Sequence, residues 1–116
     1  METKDWVDLM SEAALLEAVA DLLEAYGWMW CHFRPARTKD GWRTPLHGHK
    51  GLPDIIAARR GRILFAELKS QKGKLEPEQE DWQSAILSPW LYVTHEYYIF
   101  RPSDWRAGTI EGLLRG

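Results

Sequence analysis

The 116-residue chain contains one cysteine, Cys31, so no internal disulfide can form, and a reducing cytoplasm is the expected compartment. No apolar run approaches the roughly eighteen residues of a membrane-spanning helix. The opening Met1-Glu2-Thr3-Lys4-Asp5-Trp6 lacks the basic region and apolar core of a secretory signal. A soluble protein with no membrane partner is expected. Internal repeats and low-complexity segments are missing too, and the length fits one hydrophobic core, so residues 1–116 are expected to form a single domain. Any active site must be built on that core.

Large net charge is also lacking, at −2, but the charges are segregated. Residues 34–74 carry eleven Lys and Arg against three acids, and the remainder carries four against fourteen. A phosphate backbone would be drawn to the middle of the chain and repelled elsewhere, which orients as well as attracts. Arg34, Arg37, Arg43, Lys50, Lys72 and Lys74 are the candidate DNA contacts. Charge runs of this kind also arise as plain solvated faces.

Ser11 can cap a helix whose apolar stripe is Leu15, Leu16, Val19, Leu22, Leu23 and Tyr26, with Gly27 at the stop. Trp28 to Phe33 reads as a strand. Residues 34–52 read as a long loop rich in Pro, Gly and Arg, with no apolar period, of a length that is usually functional or disordered. Asp54–Arg59 and Arg62–Lys69 flank Arg60-Gly61 as a β-hairpin. Pro77 suits the first position of a second helix with Trp82 and Ile86 on its buried stripe, ending before Pro89. Leu91 to Phe100 reads as another strand, and Pro102 to Trp105 start a last helix through Ile110, Leu113 and Leu114. The order α-β-β-β-α-β-α predicts an α/β fold, a mixed sheet flanked by helices.

Side chains alternate faces along a strand, so Glu67 and Lys69 share one face while Leu64, Ala66 and Leu68 take the other. With a two-residue turn at Arg60-Gly61, Arg59 pairs with Arg62 and Asp54 falls opposite Glu67. Their Cβ atoms would then stand about 4.5–5.5 Å apart. Facing carboxylates repel, so a bound cation or a proton must compensate them. Mg2+ or Mn2+ suits hard oxygen ligands and leaves positions open for water and phosphate. Lys69 beside such an ion could orient a water or neutralise developing charge, which makes a phosphodiester hydrolysis site. A surface hairpin with a stray Asp and a Glu/Lys pair would show the same short pattern.

Glu12 and Gln79 each stand where the helical period asks for an apolar residue. Glu12 extends the row of Leu16, Val19 and Leu23, as a candidate third metal carboxylate or as charge complementing the helix N-terminus. Gln79 shares a stripe with Trp82 and Ile86 and could contact a metal water or a phosphate, or simply be a half-exposed amide.

Ser11-Glu12, His32–Arg37, Gly51-Leu52-Pro53-Asp54, Phe65–Lys69, Gly73–Gln79 and Arg101–Trp105 together give a specific order and spacing across nearly the whole chain. In these residues the chain resembles the VRR-NUC branch of the PD-(D/E)xK nucleases, particularly the small phage members described as Holliday-junction-resolvase-like. The resemblance implies a restriction-endonuclease-like core and a divalent metal held by Asp54 and Glu67. It implies catalytic support from Lys69, accessory roles for Glu12 and Gln79, and homodimers acting on branched DNA. The compartment would be a host cytoplasm for a phage-encoded member. No organic cofactor is expected.

Rival readings remain. Cys31, His32, His47 and His49 are a poor zinc set, because adjacent strand residues point to opposite faces and the His47-Gly48-His49 spacing is unusual. A non-catalytic DNA-binding or assembly module on a nuclease fold is the competitor from another class; nicking, flap and restriction-like nucleases compete within enzymes. Of seven Trp, Trp28, Trp30 and Trp82 fit the core, and Trp105 fits the docking of the last helix. Trp6, Trp42 and Trp90 have no apolar stripe to join, and Trp42 is the candidate base contact.

Overall fold

The computed structural model describes residues 5–33, 36–38, 41–43, 48–87 and 94–116, the two short stretches 36–38 and 41–43 by backbone alone. The elements run α1 (Trp6–Leu9), α2 (Glu12–Ala25), β1 (Met29–His32), β2 (Ala36–Thr38), β3 (Gly41–Arg43), β4 (Ile55–Arg59), β5 (Arg62–Leu68), α3 (Pro77–Ile86), β6 (His95–Phe100), α4 (Pro102–Arg106) and α5 (Thr109–Arg115). The fold is α/β, with a four-stranded sheet in the order β1-β4-β5-β6. Its first three strands are antiparallel neighbours, and β6 joins β5 in parallel, α3 lying in the crossover between them. No helix among the described residues is long and apolar enough to cross a membrane.

Local chemistry sets the boundaries. Ser11 Oγ accepts the Ala14 N–H at 3.0 Å and starts α2. Gly27, at φ 75°, ends it, and the Trp28 N–H returns to the Leu23 carbonyl at 2.9 Å. Arg60 and Gly61, at φ 48° and 81°, make the two-residue turn that pairs Arg59 with Arg62.

One face of the sheet packs under α2 and α5. Ile55, Ala57, Leu64, Ala66, Leu68 and Phe100 meet Leu15, Val19, Leu23, Ile110 and Leu114 there, with Trp28 at one edge. The Trp28 indole N–H donates to the Leu114 carbonyl at 2.8 Å, and the Arg59 and Arg62 guanidinium carbons lie 4.8 and 5.0 Å from its ring centroid. Trp30 and Trp105 pack against this core.

Four expectations need correction. The stretch 34–52 is not all loop, because β2 and β3 pair antiparallel within it, from Ala36 opposite Arg43 to Thr38 opposite Gly41. A short helix, α1, precedes Ser11; it is capped by the Asp5 carboxylate, and its four residues are too few to show a period of their own. The last helix is two, broken at Gly108, which sits at φ 77°. No residue of α3 is fully buried, and Trp82 and Ile86 are only half-buried. That helix is held by polar contacts instead: the Trp82 indole N–H reaches the Lys50 carbonyl at 3.0 Å, and His95 Nε2 lies 2.5 Å from the Ile86 carbonyl. The strand expected over 91–100 is β6 from His95 onward; residues 88–93, Trp90 among them, lie outside the described residues.

Candidate active site

The β4–β5 hairpin brings the carboxylates together. Its last pair is Ile55 opposite Ala66, so Asp54, one step further, faces Glu67. Asp54 Oδ2 accepts the Leu68 N–H at 2.8 Å, which pins this carboxylate to the backbone between Glu67 and Lys69. Glu67 is 1% exposed, as closed to water as the apolar core around it. Its Oε1 accepts from Gln79 Nε2 at 2.9 Å, while Oε2 is buried without a hydrogen-bond partner. Burial first, then the facing Asp54 carboxyl, push the Glu67 carboxyl up to about 8; Lys69 acts in the opposite sense, and Glu12 adds a smaller upward push.

Gln79 reaches Glu67 because of the start of α3. Its side-chain oxygen accepts the Glu76 N–H at 2.8 Å, which leaves the NH2 group to point at Glu67. The loop before Asp54 is fixed against the same helix. Gly51, at φ 99°, lies so close to α3 that a Cβ there would stand 2.6 Å from the Glu78 carbonyl carbon and oxygen.

Lys69 follows β5, and its N–H still bonds the Phe100 carbonyl of β6 at 3.0 Å. The side chain is nearly buried, with Nζ 4.0 Å from Glu12 Oε1. Glu12 itself is more than half exposed. It stands at the rim of the site, placed by the first turn of α2 beside the lysine. Asp54, Glu67, Lys69, Glu12 and Gln79 are therefore neighbours in space.

Among the described residues, no three of His, Cys, Asp and Glu converge as a metal cage. The donors that fit a hard divalent ion are the Asp54 and Glu67 carboxyls, whose mutual repulsion a proton or a cation between them relieves. Of the zinc set, Cys31 and His32 alternate faces on β1, and His47 lies outside the described residues.

The basic residues divide. Lys72 and Lys74 are exposed on the turn between Lys69 and α3. Arg101 holds that turn through Nη1, which donates to the Ser70 and Gly73 carbonyls at 2.8 and 2.7 Å, and the Gln71 side chain accepts the Ser103 N–H at 2.9 Å. Lys50 is exposed and pairs with Glu78 at 3.1 Å. Arg37 and Arg43 belong to β2 and β3, but their side chains, like that of Trp42, lie outside the described residues, as does Arg34.

No protein-family model matches the chain, and neither does any curated protein. Two residues at the site have no role that the sequence alone assigns. Arg101 is visible only once β6 lies beside β5, and Tyr97 only once the parallel register puts it opposite Phe65, on the Glu67 face. Alternation within β6 would group Tyr97 with Ile99, but nothing in the sequence says which neighbour that face meets.

Proposed function

We propose that this chain is a divalent-metal-dependent endodeoxyribonuclease with a PD-(D/E)xK core. The observation that carries the reading is the buried Glu67 carboxyl, held by Gln79 on Oε1, facing Asp54 closely enough that the pair favours a shared proton, and flanked by Lys69. An arrangement this costly to bury, next to a surface turn carrying Lys72 and Lys74, suits a site for a cation and a phosphodiester.

Asp54 and Glu67 would hold Mg2+ or Mn2+. Such an ion, when bound, polarises the scissile phosphate and acidifies the attacking water. Hydrolysis adds one water across a P–O ester bond: the water oxygen stays on phosphorus, and a proton ends on the departing sugar oxygen. Lys69, nearly buried beside this pair, would neutralise the negative charge that grows on the phosphate, in surroundings that screen it poorly. Glu12 keeps that ammonium oriented, Gln79 fixes the Glu67 rotamer, and Leu68 N–H fixes Asp54.

Branched DNA, cut by a homodimer with paired active sites, is the substrate proposed from the resemblance to junction-resolving nucleases. The test is incubation with four-way junction, flap, single-stranded and linear duplex DNA in Mg2+, Mn2+ or EDTA, with Asp54→Asn as control. Metal- and Asp54-dependent cutting of the junction at paired sites is expected. Cutting mainly of another substrate keeps the nuclease and reassigns the substrate; tight binding with no cutting under any metal makes the chain a DNA-binding module.

A further inference from the structure

Tyr97 has been given no role at the site so far, yet its hydroxyl is one of few buried side-chain atoms among the described residues without a hydrogen-bond partner. Glu67 Oε2 is another. The phenol is a donor, and Oε2 is an acceptor once the carboxyl is ionised, as it must be to hold a cation. Tyr97 stands opposite Phe65 and Glu67 opposite Ile99, so the two sit diagonally on adjacent parallel strands and on one face. Burial first, then the charges of Glu67 and Asp54, push the Tyr97 phenol upward, as they would only with both carboxyls nearby.

We propose that Tyr97 is a positioning residue that acts through Glu67. Its phenol donates to Glu67 Oε2 when that carboxylate takes up a divalent ion, and with Gln79 on Oε1 it clamps both oxygens. Each carboxylate oxygen has two lone pairs, so accepting the phenol proton leaves Oε2 able to ligate. Donors behind a ligating carboxylate fix its orientation, and losing one weakens metal binding about 10–100-fold.

The inference rests on the metal-site reading, and the test separates the two. Mn2+ binding to the full chain, without DNA, is measured by isothermal titration calorimetry for wild type, Tyr97→Phe and Tyr98→Phe, with thermal melts in EDTA. Tyr98 is the control, because its hydroxyl already bonds Glu96 on the opposite face of the strand. Tyr97→Phe is expected to bind Mn2+ at least about 10-fold more weakly while melting in EDTA no lower than wild type. Tyr98→Phe is expected to melt lower and bind Mn2+ as wild type does. Unchanged Mn2+ affinity in Tyr97→Phe overturns this inference alone, and a lower melting point with unchanged affinity makes Tyr97 structural. No Mn2+ binding by wild type overturns both the inference and the metal site.

Discussion

Gln79 Nε2 donates to Glu67 Oε1 at 2.9 Å while Gln79 Oε1 accepts from Glu76 N–H at 2.8 Å, so one amide both starts a helix and orients a buried carboxylate. Gln79→Leu removes both bonds. Loss of the bond to the Glu76 N–H is expected to cost about 0.5–1.5 kcal/mol of stability, and loss of the bond to Glu67 is expected to slow cleavage further than that destabilisation explains. Chemical denaturation and single-turnover cleavage of the same variant check the two effects separately.

Lys69 is nearly buried beside Glu12, and neither its backbone bond to Phe100 nor the hairpin depends on its ammonium. Lys69→Ala is expected to cut DNA roughly 10²-fold more slowly or worse, with DNA binding and the far-ultraviolet circular dichroism spectrum retained. Collapse of that spectrum would show that the ammonium is needed for folding.

Glu67 gives the metal-free protein a pH dependence of definite sign. Its carboxyl is raised from 4.5 to about 8, so between those values the folded chain holds a proton that the unfolded chain has lost. Stability contributed by this group is present below pH 4.5 and is lost as pH rises through about 8. Urea denaturation in EDTA from pH 5 to 9 is expected to show the decline, and Glu67→Gln to flatten it. If Mn2+ is held by Glu67 as proposed it must displace this proton, so binding at pH 7 is expected to release protons in calorimetry run in buffers of different ionisation enthalpy.

Gly51 and Gly48 both have positive φ, but only Gly51 has the Glu78 backbone where a Cβ would go. Gly51→Ala is expected to destabilise by more than ~1 kcal/mol and to weaken cleavage, because the loop leads directly into Asp54. Gly48→Ala, with nothing within 4 Å of the added carbon, carries the backbone strain without the clash and is expected to cost less.

Lys72 and Lys74 project from the turn that Arg101 holds. Replacing both with Gln is expected to weaken DNA binding evenly across sequences and to lower the salt slope by roughly one for each phosphate that is no longer neutralised. An unchanged slope, measured by anisotropy from low to moderate salt, removes this turn from the DNA surface.

The hairpin is legible in the sequence because strand alternation and a two-residue turn leave a single register, and that register places Asp54 against Glu67. Ser11, Gly27 and Pro77 are legible because their local chemistry sets helix ends without help from the rest of the fold. Trp82 misleads, because helical period predicts which residues align and not whether anything covers them; the described α3 is anchored by an indole on a loop carbonyl. The β2–β3 pair escapes a sequence reading because strands of three residues hold too few side chains for alternation to register. Tyr97 and Arg101 depend on a parallel pairing between segments far apart in sequence, which no local pattern encodes.

That late pairing has a consequence for a growing chain. The ribosome has already produced Asp54, Glu67 and Lys69 when β6 is still to come, yet Lys69 N–H waits for the Phe100 carbonyl and the turn after it waits for Arg101. A nascent or prematurely ended chain would carry the whole charged motif on an open sheet edge, exposed to aggregation and proteolysis, without the strand that frames it. Synthesis thus leaves the Asp54, Glu67 and Lys69 cluster unframed until β6 and the residues beyond it have emerged and docked.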